Sequence, residues 1–108
     1  MRTLLGELLR IEGYQVVSLG SIEPEDTVLQ QLIEQKPDLV FLDVNIHGRD
    51  TFDFVQRLRS AQDGIRVLMT SGMPVEAESK HVGANGFLMK PFMPDELLNK
   101  VHHILGSE

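Results

Sequence analysis

The apolar run Leu39-Val40-Phe41-Leu42 constrains the fold more tightly than any other stretch of the chain. Lys36-Pro37-Asp38 precedes it and Asn45-Ile46-His47-Gly48 follows. The run is therefore too short and too sharply bounded for a helix, and reads as a strand buried on both faces. Such a strand needs cover on both sides, as in a parallel sheet flanked by helices. Open sheets of this class present their ligand-binding loops at the carboxyl ends of the strands. Asp43 stands at that end, so its carboxylate is the first candidate for chemistry.

The rest of the pattern agrees with an α/β sheet. Leu4, Leu5, Leu8 and Leu9 share a helical face within Arg2 to Glu12, and Gly13 is placed to end that helix. Tyr14 to Leu19 is a β-prone run closed by Gly20-Ser21. Glu23 to Gln35 predicts a helix with Pro24, Glu25 and Asp26 in its first turn and Val28, Leu29, Leu32 and Ile33 inward. Thr51 to Ser60 predicts another, with Phe52, Val55 and Leu58 inward and Asp50 or Thr51 as its cap. Ile65 to Thr70 and Phe87 to Met89 read as strands, with a weakly patterned helix, Glu76 to Val82, between them. A final helix after Pro94 is expected to bury Leu97, Leu98, Val101, Ile104 and Leu105, and the methionines are expected to fill gaps in the core.

The order α-β-α-β-α-β-α-β-α implies a doubly wound parallel sheet with four strands and five helices. Right-handed crossovers normally begin on a strand. The leading helix has none ahead of it, so a strand is missing at the front.

The 108 residues suit a single domain, 1–108. Sixteen acids against ten Lys and Arg give a net charge of −6, and no basic block exceeds Arg57-Leu58-Arg59, which argues against direct nucleic-acid binding. The absence of cysteine excludes disulfides and thiolate metal sites. No apolar run approaches the ~20 residues of a membrane span, and the N-terminus lacks a signal-peptide pattern, so a cytoplasmic location is expected. His47, His81, His102 and His103 have no metal-ligand spacing and read as surface residues.

Three successive strand ends carry Asp43, Thr70 and Lys90-Pro91. Separately, each has an ordinary role: Asp forms turns, Thr suits strands, Lys is a solvated charge, and an aromatic such as Phe87 fills a core. Together with Glu12-Gly13-Tyr14, Pro37-Asp38-Leu39-Val40, Thr70-Ser71-Gly72 and the run from Gly83 to Phe92, they make the chain resemble the receiver domain of two-component response regulators from Met1 to Leu105. The resemblance implies a flavodoxin-like fold in which Asp43 accepts a phosphoryl group from a histidine kinase, a phosphotransfer protein or a small phosphodonor. It implies that Lys90 pairs with the phosphoryl oxygens, that the Thr70 hydroxyl hydrogen-bonds them, and that small Ser71 leaves them room. Thr70 and Phe87 match the family's switch positions. The output surface would be the Glu76 helix, the Phe87 strand and the last helix, read by an effector protein or a fused output domain. Such a protein is a switch that assists its own phosphorylation, not a metabolic enzyme.

The chain departs from the family at its front. Receivers begin with a strand ending in two adjacent acids that help hold Mg²⁺; here the expected metal ligands reduce to Asp43 and the backbone carbonyl of Asn45, so Mg²⁺ binding should be weak. The missing strand would lie between those at Gln15 to Leu19 and Leu39 to Leu42. Two edges are left facing each other, and they are expected to pair directly or with a second chain. Retention of Asp43, Thr70 and Lys90 favours a natural product that starts further upstream. Residues typical of the family are replaced at His47 and Thr51, which reads as minor. A phosphorylation-independent interaction module is the alternative function. An aspartyl phosphohydrolase is disfavoured because Asn45 stands where its second acid would be.

Overall fold

A computed structural model describes residues 6–11, 13–62 and 64–106. In chain order the elements are β1 (Gly6–Ile11), β2 (Tyr14–Leu19), α1 (Glu25–Gln35), β3 (Leu39–Asp43), β4 (Asn45–Ile46), β5 (Arg49–Asp50), α2 (Phe52–Ala61), β6 (Arg66–Ser71), α3 (Glu76–His81), β7 (Gly86–Met89) and α4 (Pro94–Gly106). The main sheet has the order β1-β2-β3-β6-β7. β2, β3, β6 and β7 run parallel, and β1 lies antiparallel on the outer edge.

Alternation along the strands divides the core between the two faces of the sheet. Val17, Leu19, Val40, Leu42, Val67, Met69 and Phe87 pack on one face, where Val28 and Leu32 of α1 and Phe54, Val55 and Leu58 of α2 cover them. Val16, Leu39, Leu68 and Leu88 pack on the other, under Val101, Leu97 and Ile104 of α4. β3 therefore contributes to both layers, as its unbroken apolar run requires. Each fully buried aliphatic side chain of this kind contributes roughly 1.5–3 kcal/mol. This is the doubly wound α/β sheet implied by the sequence pattern. No helix among the described residues is long and apolar enough to cross a membrane.

The first segment differs from its sequence reading. Of the helix expected over Arg2 to Glu12, Gly6–Ile11 is a strand, while residues 1–5 and Glu12 lie outside the described residues. Helices beside the sheet therefore number four among the described residues, not five. The reason is an edge effect. β2 offers a row of backbone donors and acceptors on its outer side, and the preceding segment folds back to take them in register from Gly6↔Leu19 to Ile11↔Tyr14. Gly13, at φ 84°, serves the tight turn between these strands, where the sequence reading had it ending a helix.

The two strands expected to face each other across a gap are joined directly. Val16 pairs with Leu39, and the parallel register continues to Leu19↔Leu42. Direct pairing, the first of the two expected solutions, leaves β1 and β7 as the sheet's edges.

Smaller corrections concern packing. Phe54, not Phe52, is the deeply buried aromatic of α2. In α4 only Val101 is fully buried; Leu97, Ile104 and Leu105 are half-buried, and Leu98 is 39% exposed because the helix lies against one layer only. Met69 fills the core, but Met73, Met89 and Met93 are exposed and fill nothing. The loop after Asp43 is not wholly irregular, since β4 and β5 form a two-residue hairpin.

Candidate functional site

Asp43 ends β3 beside Thr70 of β6, its register partner. The β3–β6 ladder continues one step further, with the Val44 N–H donating to the Thr70 carbonyl at 2.8 Å. On the other side of β6, the Lys90 N–H donates to the Ser71 carbonyl at 2.8 Å and fixes the start of the β7–α4 loop. The parallel register thus brings Asp43, Thr70 and Lys90 to one end of three adjacent strands, although 47 positions separate the first from the last.

The Lys90 ammonium spans β6 to form an ion pair with Oδ2 of Asp43. Both side chains reach solvent, Lys90 at 45% and Asp43 at 30% exposure. Oδ1 of Asp43 has a longer contact, accepting from the Asn45 N–H at 3.4 Å. The acid is therefore held through Oδ2 by Lys90 and more loosely through Oδ1 by the Asn45 amide. A carboxylate so placed is a competent nucleophile toward an electrophilic phosphorus, and the ammonium beside it is a compact counter-charge.

Thr70 is buried, and its hydroxyl donates to the Leu88 carbonyl at 2.6 Å, across to β7. Phe87 is packed in the core, in register with Met69 of β6. Ser71 is buried, and its Oγ accepts from the Met73 N–H at 3.0 Å, shaping the turn beside Lys90. His47, His81, His102 and His103 are exposed.

The loop after Asp43 is anchored from outside. Arg49 of the β4–β5 hairpin pairs with Glu23 and Glu25, and Arg57 of α2 pairs with Glu25 at 2.7 Å and Asp26 at 2.8 Å. Hydrogen bonding to Asp26, and then to Glu25, raises the Arg57 guanidinium above its ordinary range. A wide groove of about 1110 Å³ between α1 and α2 is lined by Glu25, Arg49 and Arg57 of this cluster together with Asp53 and Arg59.

The Mg²⁺ that the resemblance implies finds a poor donor set among the described residues. Mg²⁺ wants six oxygens in near-octahedral array, commonly with one or two carboxylates. Among the described residues no group of three or more His, Cys, Asp or Glu could hold a metal ion. Among the described residues Asp43 is the acid at these strand ends, with Oδ2 already on Lys90, and the Asn45 side chain is turned to the Gly48 N–H at 3.1 Å. Among the described residues the donors at these strand ends are a poor fit to Mg²⁺.

One residue at the site escaped the sequence reading. Thr51 was a cap candidate for α2, but Asp50 is the residue that accepts the Phe52 N–H, at 3.2 Å, and Thr51 makes no capping bond. Its hydroxyl turns back to the Asp43 and Val44 carbonyls. No local pattern distinguishes a Thr that caps forward from one that bonds backward.

Comparison with known proteins gives one answer. The family model described as response regulator receiver domain matches residues 1–102. Sporulation initiation phosphotransferase F of Bacillus subtilis is 32% identical over 109 aligned residues, covering 97% of this chain and 85% of that protein. Chemotaxis protein CheY of Thermotoga maritima is 28% identical, covering 94% and 88% respectively. Among solved structures, chemotaxis response regulator CheY4 of Vibrio cholerae superimposes with a TM-score of 0.63 at 31% identity, over 72% of this chain and 69% of that one.

Proposed function

The chain belongs to the response regulator receiver domain family, a family of signalling proteins and not of metabolic enzymes, and from that premise we propose that Asp43 is its phosphoryl acceptor. The observation that carries this reading is the ion pair of Lys90 with Asp43 across β6, at the carboxyl ends of the parallel strands.

In the proposed step an Asp43 carboxylate oxygen attacks phosphorus in line. The new O–P bond forms as the donor's P–N bond, in a phosphohistidine, or P–O bond, in an acyl phosphate, breaks. The electron pair departs with the imidazole or the carboxylate. Lys90 offsets charge on the transferring oxygens from its present place beside Asp43. Thr70 would exchange its bond to Leu88 for one to the new phosphoryl group, and Phe87 would repack in response. Such a change would reach partners through α3, β7 and α4. The donors would be a histidine kinase or phosphotransfer protein, and the reader an effector or a fused output domain.

The test is intact-mass spectrometry after incubation with acetyl phosphate and magnesium chloride, wild type beside Asp43→Asn. One added phosphoryl group on the wild type and none on the variant is the expected result. Equal labelling of both would place the acceptor elsewhere. A second reading, a phosphorylation-independent interaction module, draws support from the weak donor set for Mg²⁺ among the described residues. It predicts no labelling of either protein, and effector binding that Asp43→Asn leaves unchanged.

A further inference from the structure

A threonine just ahead of a helix ordinarily turns its hydroxyl forward, accepting an early N–H of that helix. Thr51 does the reverse. Its Oγ1 donates backward to the Asp43 carbonyl at 2.9 Å and the Val44 carbonyl at 3.2 Å, a shared bond to two acceptors. Its own N–H donates to the Val44 carbonyl at 2.7 Å. The residue is 0% exposed, so water does not compete for these bonds.

The peptide unit joining Asp43 to Val44 is consequently held at both polar ends. Thr51 holds its C=O, and the Thr70 carbonyl holds its N–H at 2.8 Å. Because the peptide is planar, fixing both ends fixes the plane. With β3 laddered on each side, the direction in which the Asp43 side chain leaves the strand is fixed too. The hydroxyl thus links the start of α2 to the backbone of the acceptor.

We infer that Thr51 is a positioning residue for phosphoryl acceptance: its buried hydroxyl sets the aim of the Asp43 carboxylate without touching the donor. The inference rests on Asp43 being the acceptor. Thr51→Val keeps the shape and deletes the hydroxyl; Thr51→Ser keeps the hydroxyl and deletes a methyl group.

The experiment is the initial rate of phosphoryl uptake from acetyl phosphate across a range of donor concentrations, with amide hydrogen exchange on the same proteins. Misaiming a reacting group by a fraction of an ångström to about 1 Å lowers rate by roughly tenfold to a hundredfold. Thr51→Val should lower the limiting rate by that factor and leave the half-saturating donor concentration unchanged. Thr51→Ser should restore the rate to within about threefold, and the Val44 amide should exchange faster in Thr51→Val alone. A wild-type rate in Thr51→Val overturns the inference. So does a Thr51→Ser variant as slow as Thr51→Val, or a loss of rate that tracks faster exchange throughout the sheet. Absence of label on the wild type would instead overturn the acceptor reading, and this inference with it.

Discussion

Replacing Lys90 by methionine separates folding from chemistry at the candidate site. Methionine retains an unbranched stem but removes the ammonium that pairs with Asp43. With the two side chains 45% and 30% exposed, water screens the pair, and ion pairs so placed contribute at most about 1 kcal/mol to stability. For a domain near this size 1 kcal/mol corresponds to about 4–8 °C in Tm, so the variant should melt no more than about 8 °C below the wild type. The proposed chemistry depends on the same ammonium far more strongly. Removing one preorganised donor from a charge-developing site lowers rate by about 10²–10³. Phosphoryl uptake from acetyl phosphate, followed by intact mass, should fall by that factor in Lys90→Met. Lys90→Arg should fall between, because the charge remains but the planar fork does not reproduce a point charge. A Lys90→Met protein that labels within about threefold of wild type would refute the role given to Lys90. A Tm drop beyond about 15 °C would show that the pair holds the fold.

Other outcomes follow from the packing. Leu58→Ala empties a fully buried position between α2 and the sheet and should destabilise the protein by about 2–5 kcal/mol in urea unfolding, with the m-value unchanged. Gly86→Ala would bring its new Cβ to 2.8 Å from Cδ1 of Ile104, the far end of a flexible side chain, so α4 should shift slightly at a cost of about 1 kcal/mol, read from the same unfolding curves. The Arg57 pairing with Asp26 and Glu25 raises the folded-state guanidinium, so its contribution is fully present below the unfolded value and is lost only as pH rises through the folded one. Stability measured between about pH 8 and pH 10 should therefore show no fall attributable to Arg57, and an Arg57→Ala protein should run parallel to wild type over that window.

Local chemistry alone determined a good deal. The bounded apolar run at Leu39 to Leu42 required cover on two faces, which committed the chain to a parallel sheet between helices, and the strand ends named Asp43, Thr70 and Lys90 as the residues to watch. The strand, the acidic first turn of Glu25 and Asp26 behind Pro24, and the buried stripe of Val55 and Leu58 are legible because each depends on neighbours a few residues away. The segment before Tyr14 could not be read in that way. Leu8 and Leu9 satisfy a helical stripe, yet Gly6–Ile11 is a strand, because the competing partner is the open edge of β2 and a ladder of backbone bonds outweighs local propensity. Direct pairing of Val16 with Leu39 is of the same kind, a choice made by whichever edges meet in space. Phe54 became the deeply buried aromatic of α2, with Phe52 half-buried against the same core, once the helix had settled on the sheet. Thr51 shows the limit most clearly: whether its hydroxyl accepts from the helix ahead or donates to the backbone of β3 behind was decided by the burial that tertiary packing imposed, not by its neighbours in sequence.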